Sequence, residues 1–321
     1  MKEPNILVLA DTERDIILDL VETIQKSNES LLPLDFAVRA ALYAGSLPFP
    51  VREFFAEFRT SEKDPAIIVR GNPQFEEKPT PPQILPDLNS ERLSADEILH
   101  LLYGSLLGDA FTWRTIQFGN LINNVLPIKG NEALPISSGS KNLFDLHTED
   151  AFHENAGEYF GLYCLRNDER ASTILSFIDD IDIAAEHLPL LFSPSFRIAP
   201  NIAHSVVEEK VLQGILFGSK SQPYIKANLN YLEGGTTDHE HADALAALVW
   251  QLNEVKQDVI LERGDALYID NYRTLHGRAP YEAKYDGTGR WLKRIYISGS
   301  IRRSRKLRAE ARSRIVEGEE A

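Results

Sequence analysis

From about Leu121 onward the chain breaks into short β-rich runs separated by turn residues, with no regular alternation of strand and helix between them. The runs lie around Phe144, then Tyr159 to Leu165, Thr173 to Ile178, Val211 to Leu216, Tyr224 to Tyr231, Val259 to Leu261, Ala266 to Ile269 and Trp291 to Ser298. Many short strands without βα units suggest a sandwich or jelly roll. One helix is expected to interrupt them, from about Asp238 to Lys256, with Leu245, Leu248, Val249 and Leu252 on one face.

The first 110 residues read differently. Ile16, Ile17, Leu20, Val21 and Ile24 recur at helical spacing, so a helix is expected from Thr12 to Ser27 with Thr12 as its cap. A second, short helix is expected from Leu34 to Leu42, and a strand over Ala66 to Gly71. Four prolines make Lys78 to Asn89 a surface loop. Ser94-Ala95-Asp96-Glu97 is a capping box that opens a helix running through Leu106. The expectation is a single domain of 321 residues: 1–110 as mainly helical support, 111–300 as the catalytic core, and 301–321 as a charged tail, solvated or partly disordered.

The 48 acidic residues outnumber 34 basic ones, giving a net charge of −14. That balance argues against nucleic acid and against anionic membrane as partners. No apolar run approaches the length of a membrane span, and the apolar run at the N-terminus is too short for a secretory signal. Cys164 is the one cysteine, which leaves no intramolecular disulfide and no cysteine-based zinc cluster. A reducing cytoplasm fits.

The chemistry gathers at Leu143-Phe144-Asp145-Leu146-His147-Thr148-Glu149-Asp150. Residues two apart on a strand point to one face, so His147 and Glu149 converge. A third ligand is available far downstream, where His276 follows the strand Gly264 to Asp270. Two imidazoles and a carboxylate that leave three positions open form the ligand set of non-haem iron(II) oxygenases. Beyond His276 come Arg290 and Arg294, four apart and thus on one side of a strand. Two guanidinium forks beside a metal imply two carboxylates to hold; a 2-oxoglutarate C5 carboxylate and an amino-acid α-carboxylate would satisfy them. Asp238-His239-Glu240-His241 is a rival cluster, but its residues open a helix and diverge around the first turn. His153 lies near the triad, either beside the metal ligands or as an ordinary loop residue.

His147-Thr148-Glu149-Asp150, the stretch Asp270 to Arg278, and Arg290-Trp291-Leu292-Lys293-Arg294 together resemble the clavaminate synthase-like family. These are iron(II)/2-oxoglutarate oxygenases of the taurine-dioxygenase superfamily, among them hydroxylases of free arginine, lysine and asparagine. The resemblance spans roughly Ile67 to Ser298. It implies a mainly β fold with helical additions around a double-stranded β-helix, a cupin-like jelly roll. It implies Fe(II), 2-oxoglutarate and O2 as cofactors, with His147, Glu149 and His276 as iron ligands. Arg290 and Thr173 would hold the cosubstrate, and Arg294 the substrate carboxylate. Gln117 would contact the substrate amine, and Ser138 and Gly139 would line the pocket.

Relatives acting on arginine or lysine carry two aspartates where this chain has Asn228 and Asn230. A buried cation facing amides instead of carboxylates loses ion pairing worth several kcal/mol. A neutral, amide-bearing or modified amino acid therefore fits better than arginine or lysine. Alternatively, these asparagines only support a strand. The activity implied is hydroxylation of an unactivated C–H of a small amino acid or derivative, coupled to decarboxylation of 2-oxoglutarate to succinate and CO2. Desaturation, cyclisation, or action on a cyclic dipeptide or carrier-bound residue are variants of that chemistry in natural-product biosynthesis. A non-catalytic cupin-like binding protein is the reading of another class. Oligomeric state has no signature in the sequence.

Overall fold

The structure, a computed structural model, describes residues 1–200, 202, 204, 212–234 and 238–317. Strand β1 (Asn5–Val8) leads into helices α1 (Asp11–Lys26), α2 (Pro33–Ala44) and α3 (Phe49–Ser61). Strand β2 (Ala66–Arg70) and helix α4 (Ala95–Leu107) follow. Then come β3 (Asp109–Trp113), β4 (Asn123–Val125), β5 (Phe144–His147), β6 (Tyr159–Arg166) and β7 (Thr173–Phe177). Helix α5 (His187–Phe192) precedes the short strands β8 (Phe196–Ile198), β9 (Leu216–Gly218), β10 (Pro223–Ile225) and β11 (Leu232–Gly234). Helix α6 (His239–Glu254) is followed by β12 (Gln257–Val259), β13 (Ala266–Asp270), β14 (Thr274–Arg278), β15 (Trp291–Ser298) and β16 (Ile315–Val316).

Two sheets dominate. The larger has the order β1-β2-β13-β6-β15-β3-β16, with β4 also paired to β15; the smaller has the order β12-β7-β14-β5. Side-chain alternation along each strand sorts the core into layers. Ile67, Val69, Ala266, Tyr268, Ile295 and Ile297 leave one face of the large sheet and pack under α1 to α4. Ile68, Leu267, Ile269, Phe160, Leu162 and Leu292 leave the other face and meet Leu175 and Phe177 of β7 and Val259 of β12. The outer face of the small sheet, with Leu146, Ile174 and Leu275, is covered by Leu191 of α5 and Leu248 and Leu252 of α6. Each fully buried Phe of these layers, such as Phe55 and Phe177, contributes about 1.5–3 kcal/mol of burial.

The capping box at Ser94 is formed: Ser94 Oγ accepts from the Glu97 N–H at 3.4 Å, and Glu97 accepts from the Ser94 N–H at 2.9 Å. Several expectations need correction. Helix α1 is capped by Ala10, whose N–H donates to Glu13 Oε2 at 2.7 Å, and Thr12 lies inside the first turn. Helix α3 and strand β1 escaped the periodicity, and β1 and β2 carry the first 110 residues into the large sheet. Within the run expected from Tyr224 to Tyr231, the strand ends at Ile225 and Asn228 makes an isolated bridge to His147. Val211 lies outside the described residues. The tail is not a solvated appendage: β16 pairs parallel with β3, Arg308 and Arg314 are buried, and Arg314 bonds Asp109 at 2.7 Å. No helix among the described residues is long and apolar enough to cross a membrane.

Candidate active site

Strands β5 and β14 run antiparallel and set His147 opposite His276. Leu146 and Leu275 turn outward into the helix-covered core, so both imidazoles turn inward. Their ring centres are 4.3 Å apart. Phe144 packs on His147 and Phe160 stacks on His276, at 4.3 and 4.6 Å between ring centres. The two backbones come so close here that a Cβ on Gly277 would stand 2.5 Å from the Phe144 carbonyl oxygen.

Glu149 reaches the same point by a route other than the expected one. Strand β5 ends at His147, and Glu149 sits in the turn beyond it. Asn271 holds that turn. Its Oδ1 accepts the Glu149 N–H at 2.7 Å, and its Nδ2 donates to the carbonyls of Glu149 and Gly157 at 3.0 and 2.9 Å. Asp150 then takes a left-handed φ of 53°. Its carboxylate accepts from the Trp113 indole at 2.6 Å and lies 3.0 Å from His204 Nε2. The Glu149 carboxylate thereby lies 3.2 Å from His276 Nε2 and 3.9 Å from His147 Nε2.

These residues fit a metal ion. One ligand atom from each of His147, Glu149 and His276 lies within 4.8 Å of the others, and all three side chains are buried. His147 Nδ1 sits 2.8 Å from the Asp145 carbonyl oxygen. That oxygen can only accept, so Nδ1 carries the proton and Nε2 presents its lone pair. Burial first, and then the neighbouring His276, pull the His147 pKa down to about 3, so the ring is neutral. Burial acts to raise the Glu149 carboxyl, but Arg294 and the two imidazoles outweigh it and hold it well below the usual carboxylate range. Glu149 Oε2 is buried and has no partner in hydrogen-bond geometry among the described residues. A carboxylate oxygen and an imidazole lone pair aimed at one buried point are the donor set that a metal cation takes.

Arg290 and Arg294 are both buried, at 3% and 8% exposure. Arg294 donates to Glu149 Oε1 at 3.3 Å and to Asn123 Oδ1 at 3.1 Å, and its Nε has no partner among the described residues. Arg290 Nε and Nη1 are likewise unpartnered, and its guanidinium lies 5.9 Å from the Tyr281 ring centre. Thr173 lies opposite Arg278 across the β7–β14 ladder.

The remaining candidates are held by the protein itself. Both ends of the Gln117 amide bond the Asn124 backbone at 2.8 Å, at a left-handed φ of 44°. Ser138 Oγ accepts from Asn131 at 2.9 Å. Gly139 sits where a Cβ would stand 2.2 Å from the Leu134 carbonyl oxygen. Asn228 Oδ1 accepts from the N–H and the amide of Asn230, at 3.1 and 3.2 Å. Asn230 in turn brackets the Asp145 backbone on β5, at 3.3 and 3.4 Å. The strand-supporting alternative for these asparagines is thus the one with bonds behind it. His241 is capped by Asp238 at 3.0 Å and meets Ser193 Oγ at 2.9 Å, so the rival cluster is a helix start. His153 packs edge-on against Trp113, 4.6 Å between ring centres.

The family described as "Taurine catabolism dioxygenase TauD, TfdA family" matches residues 186–296. The enduracididine β-hydroxylase of Streptomyces hygroscopicus is 31% identical, over 97% of this chain and 99% of its own. The L-ornithine/L-arginine 3-hydroxylase of Catenulispora acidiphila is 31% identical, over 86% and 88%. The chain belongs to this family. Its fold agrees with solved members. The non-haem iron oxygenase OrfP, in complex with Fe and α-ketoglutaric acid, superposes with a TM-score of 0.88 at 31% identity, covering 97% of this chain and 99% of that one. Asparagine oxygenase in complex with Fe(II), 2S,3S-3-hydroxyasparagine and succinate gives 0.89 at 26% identity, covering 98% and 99%.

Sequence reasoning missed the residues that set this oxygenase's Glu149 in place. The Asn271 bond crosses 122 residues, and the Asp150–His204 contact crosses 54. No local spacing reports such distances. Arg278 left a signal that went unused: on β14 it alternates with Gly277 and so shares the face of His276.

Proposed function

We infer that this oxygenase hydroxylates an unactivated C–H of a small free amino acid, using iron(II), 2-oxoglutarate and dioxygen. The observation that carries the reading is one inward face: a buried His–Glu–His set flanked by two buried arginines whose N–H donors stand open. The two facing sheets with short crossing strands support a double-stranded β-helix, a jelly roll, around that face.

His147, Glu149 and His276 would hold the iron. The bound group supplies oxidising chemistry driven by decarboxylation of 2-oxoglutarate to succinate and CO2. The chain's own work is orientation and dryness. Arg290, helped by the Thr173 hydroxyl, would grip the cosubstrate's distal carboxylate. Arg294 would release Glu149 Oε1 to the metal and turn its fork to the substrate's α-carboxylate. Each such charge-assisted contact is worth about 1.5–3 kcal/mol. Phe144 and Phe160 wall the imidazoles and exclude water. Gln117, Ser138 and Gly139 would shape the substrate end of the cavity. Gln117 Oε1 keeps a second lone pair for the amine while Asn124 fixes the amide.

For the side chain, the named relatives range from asparagine to arginine and enduracididine. Asn228 and Asn230, spent on each other and on the Asp145 backbone, offer no carboxylate to a cationic side chain, which favours an amide-bearing or modified residue over arginine or lysine themselves. The test is succinate formation by the iron(II) protein against asparagine, enduracididine, ornithine, arginine, lysine and the other common amino acids. Turnover coupled to one amide-bearing or modified amino acid is expected. Coupling to none refutes the hydroxylase reading, and lysine or arginine as the best substrate refutes the side-chain argument.

A further inference from the structure

The function argued above uses Arg290 but leaves Arg278 idle, although Arg278 is 5% exposed. Its Nη2 donates to the Asn142 carbonyl at 3.0 Å, while Nε and Nη1 are buried with no partner among the described residues. Tyr281 stands beside both arginines. The Arg278 and Arg290 guanidinium carbons lie 5.2 and 5.9 Å from its ring centre, and its buried hydroxyl, beside Arg290, has no other hydrogen-bond partner among the described residues. Thr173 is opposite Arg278 in the ladder, and alternation along β14 turns Arg278 to the inward face that carries His276.

One carboxylate is fixed to the cluster: Glu169 Oε1 accepts the Arg290 backbone N–H at 3.1 Å. Two guanidiniums against one carboxylate leave a single uncompensated positive charge under cover, which is costly unless an anion completes it. The open donors are two N–H edges and a phenol, the set that a single carboxylate satisfies with both oxygens.

We propose that Arg278 and Tyr281 form, with Arg290, a two-arginine clamp on the distal carboxylate of a 2-oxo diacid. This deepens the function proposed above and rests on it. The clamp makes the pocket selective for charge at the far end of the cosubstrate: a 2-oxo monoacid of the same length leaves both forks and the excess charge unanswered.

Calorimetric titration of the anaerobic iron(II) protein with 2-oxoglutarate and with 2-oxopentanoate tests this. Wild type is expected to favour the diacid by about 100-fold or more, on the scale of two charge-assisted contacts. Arg278→Met is expected to lose about 10–100-fold in affinity for the diacid and less than about 3-fold for the monoacid, so selectivity shrinks. Arg278→Lys keeps the charge, serves if the Met variant does not fold, and is expected to give up about 3–10-fold of selectivity, since a point charge replaces the fork. Diacid selectivity unchanged from wild type in a folded variant overturns the clamp and leaves the function standing. A wild-type protein that binds no 2-oxoglutarate overturns both.

Discussion

Strand β15 carries buried cations on its two faces, and they live differently. Lys293 turns toward α4 and meets Glu97 at 2.8 Å, while Glu97 also receives the Ser94 N–H. Around it, His100 bonds the Tyr268 hydroxyl at 2.8 Å and Tyr103 bonds Asn72 at 2.6 Å. Arg294, and Arg290 one residue before the strand, turn the other way, into the space between the sheets, and keep N–H donors unpaired. A buried charge that the protein answers is part of the scaffold. A buried charge that it leaves open is held for something that comes from outside. The sequence shows adjacent basic residues at 293 and 294; the sheet gives them opposite duties.

The two faces of β15 should respond differently to substitution. The largest effect is expected on the inner face: His147→Ala should cost more than about 100-fold in iron affinity, beyond what outer partners of a metal ligand cost, and abolish turnover while circular dichroism stays native. Retained turnover would remove His147 from the metal site. On the outer face, Lys293→Met strands Glu97 under cover and should cost about 3–5 kcal/mol of stability in urea unfolding, with kcat/KM little changed. Arg294→Met should do the reverse: about 1.5–3 kcal/mol, or roughly 10–100-fold, in kcat/KM for the amino acid, with the unfolding midpoint of the iron(II)-loaded protein nearly unmoved, because the metal would answer the Glu149 carboxylate that Arg294 meets at 3.3 Å. If Arg294→Met destabilised as Lys293→Met does, the open-donor argument would fail.

The last effect is a slope. His100 is fully buried, and burial pulls its pKa down to about 3. The unfolded chain binds a proton near pH 6.5 that the folded one refuses until about 3, so stability falls as pH drops through that window. The loss is about 1.4 kcal/mol per pH unit for this group. His100→Phe should flatten the acid limb of stability relative to wild type. An identical slope in the two proteins would mean that His100 is protonated in the fold.

Much of the site was legible because it is periodic. Arg290 and Arg294 are four apart, as the strand repeat asks, and β15 forms over the expected run Trp291 to Ser298, while β14, which carries His276 and Arg278, forms beyond the expected strand where none was read. The His–Glu pair was legible by type while its stated reason was wrong: the carboxylate is delivered by a turn pinned by Asn271, not by a strand face. Gln117, Asn228 and Asn230 were legible as positions but not as bonds. Their amides are bound to the Asn124 and Asp145 backbones, and backbone partners carry no residue code. The tail misled for a related reason. Its arginines and glutamates read as solvated, yet Ile315 and Val316 complete the edge beyond β3.

What the sequence determined by itself is the chemistry on offer: two imidazoles, a carboxylate and spaced arginines on strands of fixed alternation, a pattern set by backbone geometry within each segment. Tertiary structure decided which of those groups are answered and which stay open. Satisfaction of a buried charge depends on partners over a hundred residues away, as Glu149 and Asn271 are. Such pairings exist only once the sheets have closed and water has left.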